Sequence, residues 1–237
     1  MNKIENNSKK ERVARMFDRI ARSYDFLNHF LSLGIDIYWR RRALAWLRQK
    51  NPTYILDVAT GTADLALMAQ KVLPAHTTIG IDISEKMLEI GRQKIEKKQL
   101  KDKITLYSGD SEQINFQENT FDAAMVAFGV RNFENPIKGL SEIRRVLKDK
   151  GTILVLEFSK PRLFPFKQLY NFYFSFILPL IGRIFSRDKE AYTYLPESVQ
   201  QFPDGKAFGE MLQKAGFGAV QIKTMTLGVV SVYMAEK

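Results

Sequence analysis

The segment at residues 54–64, Tyr-Ile-Leu-Asp-Val-Ala-Thr-Gly-Thr-Ala-Asp, constrains the fold of this chain more than any other. It begins as an apolar run typical of a buried strand and continues through the small residues 59–62 into a stretch with helical spacing. A strand that passes through a turn of small residues into a helix is the opening unit of a parallel α/β sheet. Such a turn also lets a ligand approach the backbone closely. The segment therefore predicts a sheet with a ligand site at its carboxyl edge.

The rest of the chain repeats this alternation of apolar runs and helical spacing. Helices that alternate with strands indicate crossover connections, so we expect an α/β, Rossmann-like, doubly wound sheet that is mostly parallel. A glycine between the last two apolar runs predicts an antiparallel hairpin at the carboxyl terminus. The predicted strands are 53–58, 77–81, 104–107, 121–127, 152–158, 220–225 and 229–234, and the predicted helices are 63–71, 85–98, 136–147 and 204–215.

The first fifty residues are expected to form a helical arm, residues 1–50, in front of a sheet domain at 51–237. Helical spacing at 9–22 and 35–47 supports this division and predicts a cap over one end of the sheet. The arm holds twelve basic and five acidic residues, in a chain of net charge +10. Such an excess can attract nucleic acid or an anionic membrane, but by charge alone a solvated face is favoured.

The most apolar stretch, residues 164–185, is expected to be part of a helical insertion at about 162–200. Lys167 and Arg183 bracket an uncharged run that is shorter than the roughly 20 apolar residues of a spanning helix, and Pro179 interrupts it. We therefore expect a buried helix or an interfacial lid. Plain core packing and a lid remain equal alternatives at this point.

Several site classes are disfavoured by residue types that the chain lacks. It has no cysteine and only two histidines, so thiolate chemistry is excluded and we expect no zinc or iron site. Residues 2–10 are polar and lack the apolar core of a secretory signal. We accordingly expect a cytoplasmic protein.

The residues that end the predicted strands indicate a nucleoside ligand, because ligands of open α/β sheets bind beyond the carboxyl ends of the strands. Asp57 lies at the end of the first strand. Asp82 ends the second, about twenty residues after the turn, where an acid can accept both hydroxyls of a ribose. Asp110 and Ser111 follow the third, where they can bind an adenine. Each alone could be an ordinary polar turn or a helix-turn acceptor, but together they favour a nucleoside cofactor.

The turn itself separates two classes of nucleoside cofactor. It lacks the three-glycine spacing that lets a pyrophosphate approach a helix start, which disfavours a nicotinamide dinucleotide. S-adenosylmethionine carries no phosphate, and its ammonium group suits a nearby Asp57. We therefore predict S-adenosylmethionine as the cofactor, with further contacts from Gly61 and Thr62.

Two further motifs add to these strand-end residues. The first appears here as Tyr24, Asp25, Phe26, Leu27 and Asn28, then Leu31, Ser32 and Trp39, and the second as Arg145, Val146, Leu147 and Lys148, then Gly151, and Glu157, Phe158 and Ser159. With these motifs the sequence is similar to the class I methyltransferases, and more narrowly to the menaquinone and ubiquinone biosynthesis C-methyltransferases, over nearly its whole length. It departs from the first signature at Leu27, which replaces a usual methionine, and at Asp36, which stands where that signature has a histidine, and from the second at residues 149–150, which replace a usual Pro-Gly.

The resemblance implies cofactor contacts at Thr62, Asp82, Asp110 and Ser111, which coincide with the strand-end residues above. Other matching segments are 128–132 and 198–203. A serine that binds the cofactor in some members falls on Ala127 here, so only the backbone could make that contact.

The resemblance also implies methyl transfer to a ring carbon of a polyprenylated quinol, converting demethylmenaquinol to menaquinol. A methoxybenzoquinol precursor of ubiquinone is the alternative. Such a carbon becomes nucleophilic when a neighbouring phenol hydroxyl is deprotonated. Arg131 would hold the resulting oxyanion, Asn132 would fix the ring and Tyr24 would relay the proton, with Asp25 and Glu157 as weaker candidate bases.

Other interpretations of these residues remain open from the sequence. Arg131 could form a salt bridge to an acid such as Glu134, and Tyr24 could be a capping aromatic. The positive charge suggests a nucleic-acid methyltransferase, but no RNA-binding module or base-methylating motif is present, and we expect no nucleic-acid partner. The basic arm is instead expected to contact an anionic membrane at its inner face, where the quinol dissolves. The aromatic insertion, residues 164–185, is expected to form the wall that receives the isoprenoid tail.

Overall fold

A seven-stranded sheet forms the centre of the protein in the computed structural model, which describes residues 8–74, 76–173, 176 and 189–237. The strands are β1 (Tyr54–Val58), β2 (Thr77–Asp82), β3 (Ile104–Ser108), β4 (Phe121–Ala127), β5 (Leu147–Phe158), β6 (Gln221–Met225) and β7 (Val230–Glu236). Their order is β3-β2-β1-β4-β5-β7-β6. Strands β1 to β5 are parallel, and β7 pairs antiparallel with β5 and β6. The predicted fold class and the closing hairpin are confirmed.

Helices flank the sheet on both faces. They are α1 (Lys9–Leu31), α2 (Ile35–Leu47), α3 (Asp64–Val72), α4 (Glu85–Lys97), α5 (Pro136–Val146), α6 (Phe166–Phe172), α7 (Lys189–Gln201) and α8 (Lys206–Lys214), with 3-10 turns at Arg48–Lys50, Val130–Asn132 and Thr226–Gly228. The apolar sides of α2, α3 and α4 pack into one core on one face of the sheet. Those of α5 and α8 form a second core on the other face. Burial on both faces explains why the central strands have continuous apolar sequences.

Local sequence sets where two of these helices begin. The Ser84 hydroxyl caps α4 by accepting the amide of Met87 at 3.3 Å. The Asn135 side chain caps α5 by accepting the amide of Lys138 at 3.1 Å, and Pro136 occupies the first turn, where its missing N–H costs nothing. Both caps lie at the carboxyl edge of the sheet, which fixes the loops that surround the site.

Strand β5 starts earlier than the sequence predicts. The prediction began at Thr152, because the charged residues 148–150 are typical of a turn. The strand begins instead at Leu147, which pairs with Phe121 ahead of a shift in the β4–β5 register. Pairing with β4 therefore overrides the local preference of these residues.

Helix α1 lies across the carboxyl edge of the sheet. Its Asp18 accepts a hydrogen bond from the Ser84 hydroxyl at 2.6 Å, and its Asp25 accepts one from the Thr62 hydroxyl at 2.5 Å. A third contact joins the Lys10 ammonium to the Asp110 carboxylate. Three strand ends are thus tied to one helix.

The aromatic segment 164–185 lies largely outside the described residues. Its described part contains α6, which buries Tyr170 and exposes Leu169 and Phe172. In the part of the chain that the structure covers, no helix combines the length and the apolar character needed to cross a membrane.

Candidate active site

A polar cleft opens at the carboxyl ends of β1 to β4. Its floor is made of small residues, including Ala59, Gly61, Gly109 and Gly129, and α1 covers it from above. A Cβ atom added at Gly129 would come within 2.7 Å of the Ala59 side chain, so this floor needs glycine. The volume left beneath α1 is about 70 Å³. The cleft thus exposes backbone to a ligand, as the sequence of the turn predicts.

Asp82 is the charged centre of this cleft. One carboxylate oxygen accepts the Gly61 amide at 2.8 Å, and the other accepts the Ser84 amide at 2.8 Å. Burial raises the pKa of Asp82 to about 6, although these backbone hydrogen bonds oppose the rise. Gly61 has a positive φ of 55°, and a Cβ there would meet open space. The turn is therefore held by the same acid that faces the cleft.

Asp57 and Thr62 lie beneath the turn, not in the cleft wall. Asp57 is 1% exposed and accepts the Thr60 hydroxyl at 2.6 Å. Burial raises its pKa to about 7. Thr62 is 2% exposed, and its hydroxyl is bonded to Asp25 of α1. Both residues shape the turn and give it little surface for direct ligand contact.

Asp110 and Ser111 line the opposite end of the cleft, together with Glu112. Asp110 accepts the Glu112 amide at 2.9 Å and contacts the Lys10 ammonium of α1. Lys94 closes the region behind the turn, with its ammonium 2.5 Å from Asp25. The strand-end acids predicted from the sequence are thus brought to one edge, where basic residues neutralise part of their charge.

A second, apolar cavity of about 390 Å³ adjoins the cleft. Its walls come from α1, α2, α6 and α7 and from the carboxyl ends of β4 and β5. Trp39, Phe158 and Tyr170 form much of the apolar surface. The aromatic insertion, expected to form the wall for the isoprenoid tail, contributes Phe166, Leu169 and Tyr170 to this cavity. The sequence analysis did not identify the walls from α1 and α2, because these helices lie far from the insertion in the chain. The only signal for the cavity was the clustering of aromatic residues in the insertion.

The 3-10 turn Val130–Asn132 divides the two chambers. Arg131 lines the apolar cavity, whereas its neighbour Asn132 lines the polar cleft. Phe17, Tyr24 and Phe128 line both chambers. The three residues predicted to carry the chemistry, Tyr24, Arg131 and Asn132, therefore meet where the chambers join.

Arg131 is a buried cation held at the end of β5. Its guanidinium donates to Glu157 at 2.8 Å and to the Phe128 carbonyl at 2.5 Å, and lies 5.4 Å from the centre of the Phe158 ring. The alternative of a salt bridge to an acid such as Glu134 is thus confirmed in kind, but the partner is Glu157. Glu157 takes that place because it ends a central strand directly beside the turn. Within the described residues, the Nε atom of Arg131 has no hydrogen-bond partner.

Tyr24 and Asn132 are fixed from neighbouring helices. Burial raises the pKa of the Tyr24 hydroxyl above its ordinary value, against the opposing effects of Asn28 and Arg131. The Tyr194 hydroxyl of α7 donates to the Asn132 side-chain oxygen at 2.9 Å. Tyr24 thus stays protonated at neutral pH, and Asn132 has a set orientation.

The position where the first signature has a histidine still lies beside an imidazole. The His29 ring, from α1, is 2.8 Å from Asp36, which also contacts Arg40 and accepts the Ser32 hydroxyl at 2.7 Å. Burial raises the pKa of Asp36, but the bond with His29 and the charge of Arg40 outweigh it and leave that pKa below its usual value. Asp36 and Arg40 line the apolar cavity and form its polar corner.

The fold is shared with known methyltransferases. A crystal structure of an S-adenosylmethionine-dependent methyltransferase from Thermotoga maritima superposes with a TM-score of 0.64 at 19% identity, over 95% of this chain and 99% of that one. Identity at this level shows the fold alone.

Comparison of sequences finds relatives with much higher identity. The chain is 45% identical to the demethylmenaquinone methyltransferase of Bacteroides fragilis, over 97% of this chain and 94% of that protein. It is 46% identical to the ubiquinone/menaquinone biosynthesis C-methyltransferase UbiE of Citrifermentans bemidjiense, over 98% of each. The profile of the ubiE/COQ5 methyltransferase family matches residues 5–237. The protein is therefore a member of the ubiE/COQ5 methyltransferase family.

Proposed function

We propose that the protein transfers a methyl group from S-adenosylmethionine to a ring carbon of a polyprenylated quinol and converts demethylmenaquinol to menaquinol. Family membership and the names of the relatives support this assignment. So does the pairing of a polar cleft with an apolar cavity. A methoxybenzoquinol of ubiquinone synthesis is the second candidate, because the relative from Citrifermentans bemidjiense is named for both quinones.

The polar groups that line the cleft match those of S-adenosylmethionine. Asp82 offers a carboxylate for the ribose hydroxyls, and Asp110 and Ser111 offer an acid and a hydroxyl for the adenine. The open space above Gly61 leaves room for the amino-acid part against the backbone. When bound, the cofactor supplies an electrophilic methyl group on its sulfonium.

Arg131 carries the proposal for the substrate. A buried donor without a partner is costly, and Nε of Arg131 is such a donor within the described residues, in the wall of an apolar cavity. A quinol oxygen in that cavity would accept from the guanidinium. The positive charge would favour the ionised oxygen, which pushes electron density onto the neighbouring ring carbon.

The remaining residues position the ring and move its proton. Tyr24 stays protonated, so it serves as a hydrogen-bond relay between the two chambers and not as an anionic base. Asn132 fixes the ring from the cleft side. Glu157 is occupied by Arg131 and by the Phe158 amide at 2.9 Å, which makes it a positioning residue for the guanidinium. Holding donor and acceptor carbon in line can supply about 7 to 11 kcal/mol of the rate enhancement.

The apolar walls disfavour a nucleic-acid substrate. Such substrates are held by basic surfaces that bind phosphates, whereas this cavity has apolar walls with two buried, paired cations, Arg40 and Arg131. We propose a cytoplasmic protein that contacts the inner face of the membrane, where a polyprenylated quinol dissolves.

The experiment is methylation by the purified protein. It would be given S-adenosylmethionine with a labelled methyl group and chemically reduced demethylmenaquinone, and the quinones would be analysed by mass spectrometry. We expect a labelled product that is one methyl group heavier. Product only from the methoxybenzoquinol would favour the second candidate. No product from either quinol would refute the assignment.

A further inference from the structure

Exposed apolar side chains surround the mouth of the apolar cavity. Five residues both line the cavity and are exposed at the surface. They are Leu33, Ile35, Phe166, Leu169 and Leu227. Leu33 is 84% exposed and Leu227 is 55% exposed. An exposed apolar cluster that is continuous with a cavity is typical of a surface that binds a membrane, a protein or an apolar ligand.

Two of these leucines also have an unfavourable backbone. Leu33 has a φ of 52° and Leu227 a φ of 55°, in the left-handed region that is unfavourable for residues other than glycine. The turn that carries Leu227 is fixed beside α2, because the Trp39 indole donates to the Thr226 hydroxyl at 2.7 Å. Each of the two turns therefore holds an exposed leucine in an unfavourable backbone conformation, away from the core.

The exposed face of α2 changes from apolar to basic along its length. Its exposed residues are Ile35, Ile37, Tyr38, Arg41, Arg42 and Ala45. None of them is acidic, and Asp36, the acid of this helix, is buried against Arg40. One helical turn of about 5.4 Å separates Ile37 from the arginines that follow it. An apolar tip with basic residues one turn behind it matches a membrane interface, where acyl chains lie below anionic headgroups.

A basic groove continues this face beside the mouth. Tyr38, Arg42 and Lys223 line the groove, and the Lys223 ammonium lies 3.9 Å from the centre of the Trp46 ring. Thr226 lines both the groove and the cavity, so the two surfaces are contiguous. An exposed tyrosine such as Tyr38 next to basic residues is typical of the headgroup level of a bilayer.

We propose that the surface formed by Leu33, Ile35, Ile37, Leu227, Arg41 and Arg42, here called the docking face, inserts into an anionic lipid bilayer and places the cavity mouth against its acyl chains. The inference rests on the proposed function and adds the orientation of the protein on the membrane. It also places the contact at α2 and at the turn after β6, and not on the basic arm as a whole. A protein partner would need acidic groups opposite the arginines, and the continuity with a lipid-sized cavity favours the bilayer.

The test is co-sedimentation of the full-length protein with vesicles of phosphatidylcholine, with and without phosphatidylglycerol. We expect binding to the anionic vesicles. Each basic residue near such a surface contributes about fivefold to the binding constant, so Arg41→Glu/Arg42→Glu should lower it roughly 25-fold or more. Lys97→Glu/Lys98→Glu, an exposed pair at the carboxyl end of α4, is the matched control and should lower the binding constant less.

The leucines are tested by Leu33→Asn/Leu227→Asn, because asparagine tolerates the left-handed backbone and the fold should be kept. This variant should bind anionic vesicles roughly tenfold more weakly with an unchanged melting temperature. Ile137→Asn, at an exposed site on α5, is the control and should bind normally. Wild-type protein that binds neither vesicle, or docking-face variants that bind like their controls, would overturn the proposal and leave a protein partner as the occupant.

A separate assay distinguishes this failure from failure of the proposed function. A short-tailed, water-soluble demethylmenaquinol needs no membrane, so wild type and Arg41→Glu/Arg42→Glu should methylate it alike. If wild type does not methylate it, the proposed function fails whatever the vesicles show. If it does, while all variants bind vesicles equally, the docking face alone is refuted.

Discussion

The polar cleft and the apolar cavity meet at one 3-10 turn but are built in different ways. The cleft is made from strand ends and the loops that follow them, and it offers a ligand a few carboxylates and backbone groups. The cavity is made from helices outside the sheet and offers apolar area with two paired arginines. Polar groups at fixed positions give orientation, whereas apolar area gives affinity without direction. The comparison predicts that changes in one chamber leave the function of the other intact.

The largest difference between the effects on the two chambers is expected for Arg131→Lys, which should slow turnover without weakening cofactor binding. Lysine keeps a charge beside Glu157 but loses the planar guanidinium and its Nε donor, so kcat should fall roughly 10²–10³-fold. The Kd for S-adenosylmethionine should stay within about twofold, because Arg131 faces the other chamber. Steady-state kinetics and calorimetric titration measure the two quantities, with the melting temperature as control for folding. Wild-type turnover in this variant would remove Arg131 from the chemistry.

The opposite result is expected for Asp82→Asn, which should weaken cofactor binding without slowing turnover. The loss of a charged acceptor for the ribose should raise the Kd for S-adenosylmethionine roughly 30-fold, while kcat at saturating cofactor changes little. Asp102→Asn, at an exposed turn before β3, is the matched control and should bind normally. A fall in kcat with an unchanged Kd would contradict the division between the chambers.

Of the two chambers, only the cleft should change its ligand affinity with pH near neutrality. Asp82 has a pKa of about 6, and the ribose hydroxyls donate to its ionised form, so cofactor affinity should fall as pH drops through 6. At pH 5 about one tenth of the carboxylate remains, which predicts a Kd roughly tenfold higher than the value well above the pKa. Titrations of S-adenosylmethionine between pH 5 and pH 8 measure this.

Two variants assign that pH dependence. Asp82→Asn should bind the cofactor with the same affinity throughout the range. Asp57 has a pKa of about 7 but lies beneath the turn, so Asp57→Asn should keep the dependence. If the pH dependence of cofactor affinity remained in Asp82→Asn and disappeared in Asp57→Asn, the roles of the two acids would be reversed.

The smallest effect is expected at the mouth of the cavity. Leu169→Ser removes part of an apolar surface that a long isoprenoid tail would touch, and should raise KM for a long-tailed quinol roughly threefold. The KM for S-adenosylmethionine should not change. Ile137→Ser, on α5, provides an exposed apolar control far from the mouth. An equal rise with short-tailed and long-tailed quinols would show that the mouth does not contact the tail.

The cleft could be predicted from the sequence in more detail than the cavity, for a physical reason. Asp82, Asp110 and Ser111 follow from strand periodicity, because the carboxyl ends of parallel strands meet at one edge. The role of Glu157 could have been found by the same rule, since it lies near the end of β5. By contrast, the approach of Trp39 to the insertion depends on how separate helices pack, which no local pattern encodes.

The same limit applies within the turn after β1. The small residues predicted a close approach of a ligand, and the structure has the open space above Gly61. Periodicity could not show which side chains face inward. Asp57 and Thr62 are buried because their hydrogen bonds with Thr60 and Asp25 draw them beneath the turn.

Helix α1 lines both chambers, with Lys10 over the cleft, Ile20 in the cavity, and Phe17 and Tyr24 in both. Any movement of this helix that admits one ligand also reshapes the chamber of the other. Thermodynamic linkage then requires the cofactor to change the affinity for quinol by the same factor as quinol changes the affinity for cofactor. Substitutions in the walls of the chambers would thus separate the two functions, whereas a movement of α1 would couple them.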